Sequence, residues 1–196
     1  MMMTTTTTTT TMKPLWLQRL TTRLRHAWWD ESDTQRHIPP DMAQRLQARV
    51  AASEQRHTGQ IRLCVEASLP GSYVHRLDAD TPLPVLVRQR AVMMFSKLRV
   101  WDTQHHNGVL IYLLLAERAI EIVADRNLAG RVSPDQWQAV VGRLAGALAA
   151  QQHEAGLTQA IDETSALLAQ HFERVNVPAT AATVQTNELP DAPHLQ

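Results

Sequence analysis

The chain has 196 residues, 44% of them hydrophobic, with 19 basic and 19 acidic side chains. That length predicts one compact domain with tails, and the balanced charge predicts no nucleic-acid partner, because no global field draws one in. Cys64 is the single cysteine, so an intrachain disulfide is excluded and a reducing, cytoplasmic compartment is expected. Its side chain reads as a small buried hydrophobe.

Residues 1–12, which open MMMTTTTTTTT, are low in complexity and polar, which predicts disorder. They lack the basic-then-apolar order of a signal peptide. No stretch reaches the roughly 18 apolar residues that a membrane span needs. Residues 13–29, KPLWLQRLTTRLRHAWW, read as a basic amphipathic helix with Leu17, Leu20, Leu24 and Trp28 at helical spacing. Lys13, Arg19, Arg23 and Arg25 all precede the first acid, Asp30. Two readings compete: the stripe docks on the domain or on a second copy, or it rests on an anionic membrane as a peripheral contact.

Residues 30–40 read as a polar linker ending in two prolines, and residues 41–175 as the folded domain. Met42, Leu46, Val50 and Ser53 mark its first helix, with Pro39 and Pro40 at the first turn and Gly59 placed to end it. QIRLCVE alternates, with Ile61, Leu63 and Val65 on one face, and predicts a strand. ASLPGS breaks it. A helix follows from Pro84 to Leu98, with Val87, Ala91, Met94 and Phe95 on one side. GVLIYLLL is apolar on both faces, as in a central strand covered on both sides. AIEIVAD follows so closely that it must run antiparallel to that strand. Ser133, Pro134 and Asp135 form a helix start, and another helix is expected from about Gly156. Residues 176–196 read as an extended tail that ends in NELPDAPHLQ. The expected fold is an α/β/α sandwich around a small mixed sheet, a parallel strand pair plus an antiparallel hairpin strand, preceded by the amphipathic helix.

Topology then predicts a site. The first two strands are joined through a helix and so should be parallel, with the third running back beside the second. EQRHTGQ, WDTQHHNG and ADRNLAG therefore fall on one sheet edge. Asp102, Asn107 and Asp125 offer oxygen ligands there, with Glu54 and Gln60 as further candidates, and hard cations such as Ca²⁺ or Mg²⁺ take such donors. His105 and His106 are adjacent, which does not match the spacing that aims two imidazoles at one zinc, so they read as solvated loop. Gly108 reads as a tight turn before the strand.

The segments ASEQRHTGQIRLCVEASLP, LRVWDTQHHNGVLIYLLLAERAIEIVADRNL, PDQWQAVV and NELPD together resemble the TPM-domain family, in its small bacterial branch, over roughly residues 42–193. The resemblance implies an α/β/α sandwich and an acidic site mapping onto Asp102, Asn107 and Asp125. Within the wider family it implies acid phosphatase activity in a plant thylakoid-lumen member and binding of Ca²⁺ or other metals in others. Three positions depart from the family pattern: Gln60 stands where Glu is usual, His106 where the first Asn of Asn-Asn-Gly is usual, and Asn127 where the Gly of Asp-Arg-Gly is usual. Two functions are therefore expected to compete. One is a cation-binding interaction module that engages a protein partner through the amino-terminal helix or the NELPD tail. The other is a metal-dependent phosphatase acting on phosphate monoesters, with His57 as general acid and Arg126 as phosphate clamp.

Overall fold

The computed structural model describes residues 15–78, 80–174 and 187–196. The expectations for residues 1–12 and for most of the tail before NELPD lie outside these. Three layers build the fold, and the middle one is a sheet of order β3-β2-β1-β4. The elements in chain order are α1 (Leu15–Trp28), α2 (Glu31–His37), α3 (Pro40–Ser53), β1 (Gln60–Glu66), α4 (Gly71–Val74), α5 (Leu83–Lys97), β2 (Gly108–Leu114), β3 (Ala119–Ala124), α6 (Arg126–Ala129), α7 (Pro134–Ala149), α8 (His153–Phe172) and β4 (His194–Leu195).

β1 and β2 are parallel, with Gln60 opposite Gly108, and β3 returns antiparallel to β2. Every residue of β1 and β2 is buried, because helices cover both faces. Ile61, Leu63, Val65, Val109, Ile111 and Leu113 pack against α3, α7 and α8. Cys64, Leu110, Tyr112 and Leu114 face α5 and α4. The alternation in β1 therefore separates two cores, and its polar side chains are matched inside. Glu66 accepts from Arg90 Nε at 2.7 Å and from the Tyr112 hydroxyl at 2.7 Å. That neutralises the pair without involving solvent. Cys64 is buried, as expected, and burial pushes its thiol up to about 12.

Four local expectations are corrected. Residues 31–37 are a helix, α2, rather than linker. Asp30 accepts from Ser32 N at 2.8 Å while Asp33 accepts from Asp30 N at 3.1 Å, a reciprocal cap that starts the helix without any apolar periodicity. Gly59 does not end α3, which stops at Ser53. It lies just before β1, against Leu168. Gly156 lies inside α8, which starts at His153. The tail is not free: β4 adds a fourth strand parallel to β1, with Cys64 opposite His194.

The amino-terminal helix docks by the face opposite the one expected. Thr22 and His26 are buried, while Leu20, Leu24 and Trp28 are 48%, 52% and 83% exposed. His26 Nδ1 accepts from Leu69 N at 2.9 Å, and its other nitrogen lies 3.2 Å from Glu117. Arg19 donates to Leu77 O. These polar contacts hold α1 beside α4 and leave Leu20, Leu24 and Trp28 facing out. Among the described residues no helix is long and apolar enough to cross a membrane.

Candidate functional site

The three polar segments do meet at the amino-terminal edge of the parallel pair. Asp125 N donates to Gly108 O at 2.9 Å, continuing the β2–β3 ladder by one step. Asn127 then latches the loop, donating from its backbone N to His106 O at 3.2 Å and from Nδ2 to His105 O at 2.7 Å. Arg126 donates to His106 Nε2 at 2.9 Å. A guanidinium can only donate, so Nε2 is the bare nitrogen and the imidazole proton sits on Nδ1. That nitrogen lies 3.7 Å from Asp125 Oδ2, too far for a hydrogen bond.

Two oxygens stand out at this edge. Asn107 is fully buried. Its backbone N donates to Thr103 Oγ1 and its Nδ2 to Thr58 Oγ1, each at 3.2 Å, but its Oδ1 has no hydrogen-bond partner in the protein. Asp125 caps α6 by accepting from Arg126 N at 2.7 Å through Oδ1, while its buried Oδ2 has none. Buried polar atoms are almost always paired, so two unengaged oxygens on neighbouring residues of one edge are the site's chief feature.

The other sequence candidates are engaged elsewhere. Asp102 is exposed and pairs with Arg99 in its own turn. Glu54 is buried one step inward, accepting from Ile61 N at 3.0 Å and from Gln60 Nε2 at 3.3 Å. Burial pushes its carboxyl up to about 7, against the pull of that backbone bond. Gln60 Oε1 accepts from Glu188 N at 3.2 Å and Leu189 N at 3.1 Å, so it clasps the NELPD segment. Arg62 donates to the carbonyls of Pro190 and Ala192 beside it.

His57, expected as a general acid, is fully buried between the loop and α8. Arg56 donates to Ser165 Oγ at 2.8 Å, Ser165 Oγ lies 2.9 Å from His57 Nε2, and His57 Nδ1 lies 3.0 Å from Gly59 O. The carbonyl fixes the proton on Nδ1. Burial holds the imidazole down at about 4, so at neutral pH it has no second proton to give. Its role is to buckle the loop to α8. Arg126 is exposed, with His106 as its partner. Sequence reading missed Thr58 and Ser165, whose hydroxyls orient Asn107 and His57. As isolated loop and helix hydroxyls they carry no pattern of their own.

Among the described residues, no group of three or more His, Cys, Asp or Glu side chains is placed to hold a metal ion. A family model described as the TPM domain matches residues 32–167. The structure is similar to the NMR structure of the BA42 protein from the psychrophilic bacterium Bizionia argentinensis sp. nov. The two are 21% identical with a TM-score of 0.62, over 79% of this chain and 92% of that chain. At that identity the likeness shows the fold. No curated protein matches the chain.

Proposed function

The chain belongs to the TPM domain family, and from that premise we propose that it is an interaction module holding a divalent cation, Ca²⁺ or Mg²⁺, at the edge built by Asn107 and Asp125. The observation that carries the reading is the pair of buried, unengaged oxygens, Asn107 Oδ1 and Asp125 Oδ2. An amide oxygen and a carboxylate oxygen are hard donors of the kind these cations take, with water and backbone carbonyls completing the shell. A single carboxylate makes a weak site, because affinity grows with ligand charge.

The test is a thermal-shift titration of the metal-stripped protein with Ca²⁺ and Mg²⁺. A cation that binds only the folded edge stabilises it by about 1.4 kcal/mol at ten times its Kd. Asp125→Asn should remove the shift. Asp102→Ala, which touches neither oxygen, should leave it in place. A shift that survives Asp125→Asn, or no shift with either cation, counts against the reading. Phosphate monoester hydrolysis in the better cation is the second arm. The module reading expects no turnover, since His57 lacks a proton to donate and Arg126 is the only candidate of that chemistry left exposed.

A specific observation also favours contact with an anionic membrane surface. The bare stripe of Leu20, Leu24 and Trp28 is flanked by Arg19 and Arg23, bonded to a carbonyl and to His75, and among the described residues neither is paired with an acid. Trp beside cations suits the headgroup boundary.

A further inference from the structure

The opposite end of β2, where the carboxyl ends of the parallel strands lie, opens onto a cavity of about 510 Å³. Open α/β sheets ordinarily take their ligands at that end, and the volume is that of a small-molecule pocket. Its floor is Leu113–Leu115, and Leu148 of α7 closes one side. Its wall is aromatic. The rings of Trp29 and His37 lie 5.3 Å apart at 34°, and those of His37 and His153 lie 5.3 Å apart at 74°. His37 Nδ1 is held by Asp33 O at 2.8 Å, which fixes the middle ring. Trp29 precedes the residues that the family model matches, so this chain brings that part of the wall itself.

Charge at the cavity is uneven. Arg36 is paired with Asp33 at 2.8 Å and the two cancel. Arg118 also lines the cavity, and its guanidinium has no hydrogen-bond or ion-pair partner among the described residues. It sits in the turn after β2 with φ 50°, a left-handed position where glycine or asparagine is the less strained choice. The cavity thus joins an apolar floor and a wall of three rings, tilted and edge-on to one another, to one cation that no acid among the described residues cancels.

We infer that this cavity binds a planar aromatic monocarboxylate, its ring against Trp29, His37 and His153 and its carboxylate on the Arg118 guanidinium. One cation calls for one anionic group, a guanidinium meets a carboxylate through two parallel bonds, and the volume admits a body of two fused rings. The site lies at the far end of β2 from Asn107 and Asp125 and does not depend on a cation there.

Calorimetric titration of the full chain with naphthoate tests this, with naphthamide as the uncharged counterpart of the same shape. Saturable one-to-one binding of naphthoate is expected, with naphthamide at least tenfold weaker. Arg118→Gln, at an exposed position, should weaken naphthoate at least tenfold and bring it level with naphthamide. Leu148→Trp, which fills the cavity, should abolish binding of both. If that variant does not fold, Trp29→Ala replaces it, with a loss common to both compounds. No saturable binding of naphthoate, equal binding of the two compounds, or naphthoate binding unchanged by Arg118→Gln overturns the inference.

Discussion

Gly108→Ala tests how the polar loop is held against the sheet. A Cβ at Gly108 would lie 2.0 Å from Val100 O and 2.9 Å from Val100 Cγ1. An ordinary carbon–oxygen approach is about 3.3 Å, so the backbone would have to open by more than an ångström. Neither side can give easily. Gly108 is opposite Gln60 in β1 and accepts from Asp125 N on the other flank. Val100 is fully buried and donates to Phe95 O at 3.0 Å. A clash with backbone, rather than with the far end of a side chain, falls at the top of the usual overpacking range, about 3 kcal/mol. For a chain of this size that corresponds to a fall in Tm of roughly 6–12 °C. Urea and thermal unfolding measure it, and Gly142→Ala is the control. Nothing lies within 4 Å of a Cβ there, in the middle of α7, so helix propensity alone should stabilise by about 0.5–1 kcal/mol. A Gly108→Ala protein as stable as wild type, or a control destabilised as much, would refute the argument. The sequence reading of Gly108 as a turn residue is corrected here: its φ is not positive, and the close approach of Val100 is what excludes a side chain.

Two further outcomes follow from charge. Glu54, raised by burial to about 7, contributes stability that is full below its ordinary 4.5 and is lost as pH rises through 7, whereas His57, held down at about 4, contributes stability that is full above 6.5 and is lost as pH falls through 4. Each is worth on the order of 3 kcal/mol, so between about pH 4.5 and 6.5 they oppose. Glu54→Gln should therefore steepen the loss of stability toward acid and His57→Gln should reverse it, read as urea midpoints across that window. For α1, vesicles containing anionic lipid should pellet the protein, less so at high salt and less again with Trp28→Ala. Equal pelleting with neutral vesicles, or none, would remove the membrane contact.

The fold's centre was legible because its physics is local. An apolar run buried on both faces, a short hairpin connection and a Ser-Pro-Asp helix start each declare themselves within a few residues. What was missed depends on distant partners. DESDTQRH holds no apolar stripe, and α2 forms through the Asp30–Asp33 cap and the burial of Thr34 and Ile38. β4 is two residues long and pairs through its backbone, which leaves no side-chain period to detect. The stripe of α1 was visible but its direction was not, because spacing shows that a helix has two faces and not which one the fold covers. The cavity by Arg118 draws on α2, α7, α8 and the β2–β3 turn, and no single segment announces it.

At the polar edge, residue types and topology predicted the meeting place, but only partners decide which oxygens are available. Glu54 and Gln60 look like ligands in a string of letters. In the fold Gln60 and Arg62 hold NELPD across β1, with Leu189 sunk into the core on the α5 side and Glu188 accepting from Gln104 N at 2.7 Å. The tail expected to reach for a partner therefore closes its own sheet, and the carboxylate of Asp102 turns to Arg99. Counting acids in the three segments thus overstates the charge that a cation would meet. Of the buried candidate ligands, Asn107 and Asp125 each keep one oxygen, Oδ1 and Oδ2, without a hydrogen-bond partner among the described residues, and Asp125 carries the only charge of the two. A cation at the proposed site would be held by geometry more than by charge, which is why Asp125→Asn, near in shape and without the charge, is the variant that separates a cation site from a cap on α6.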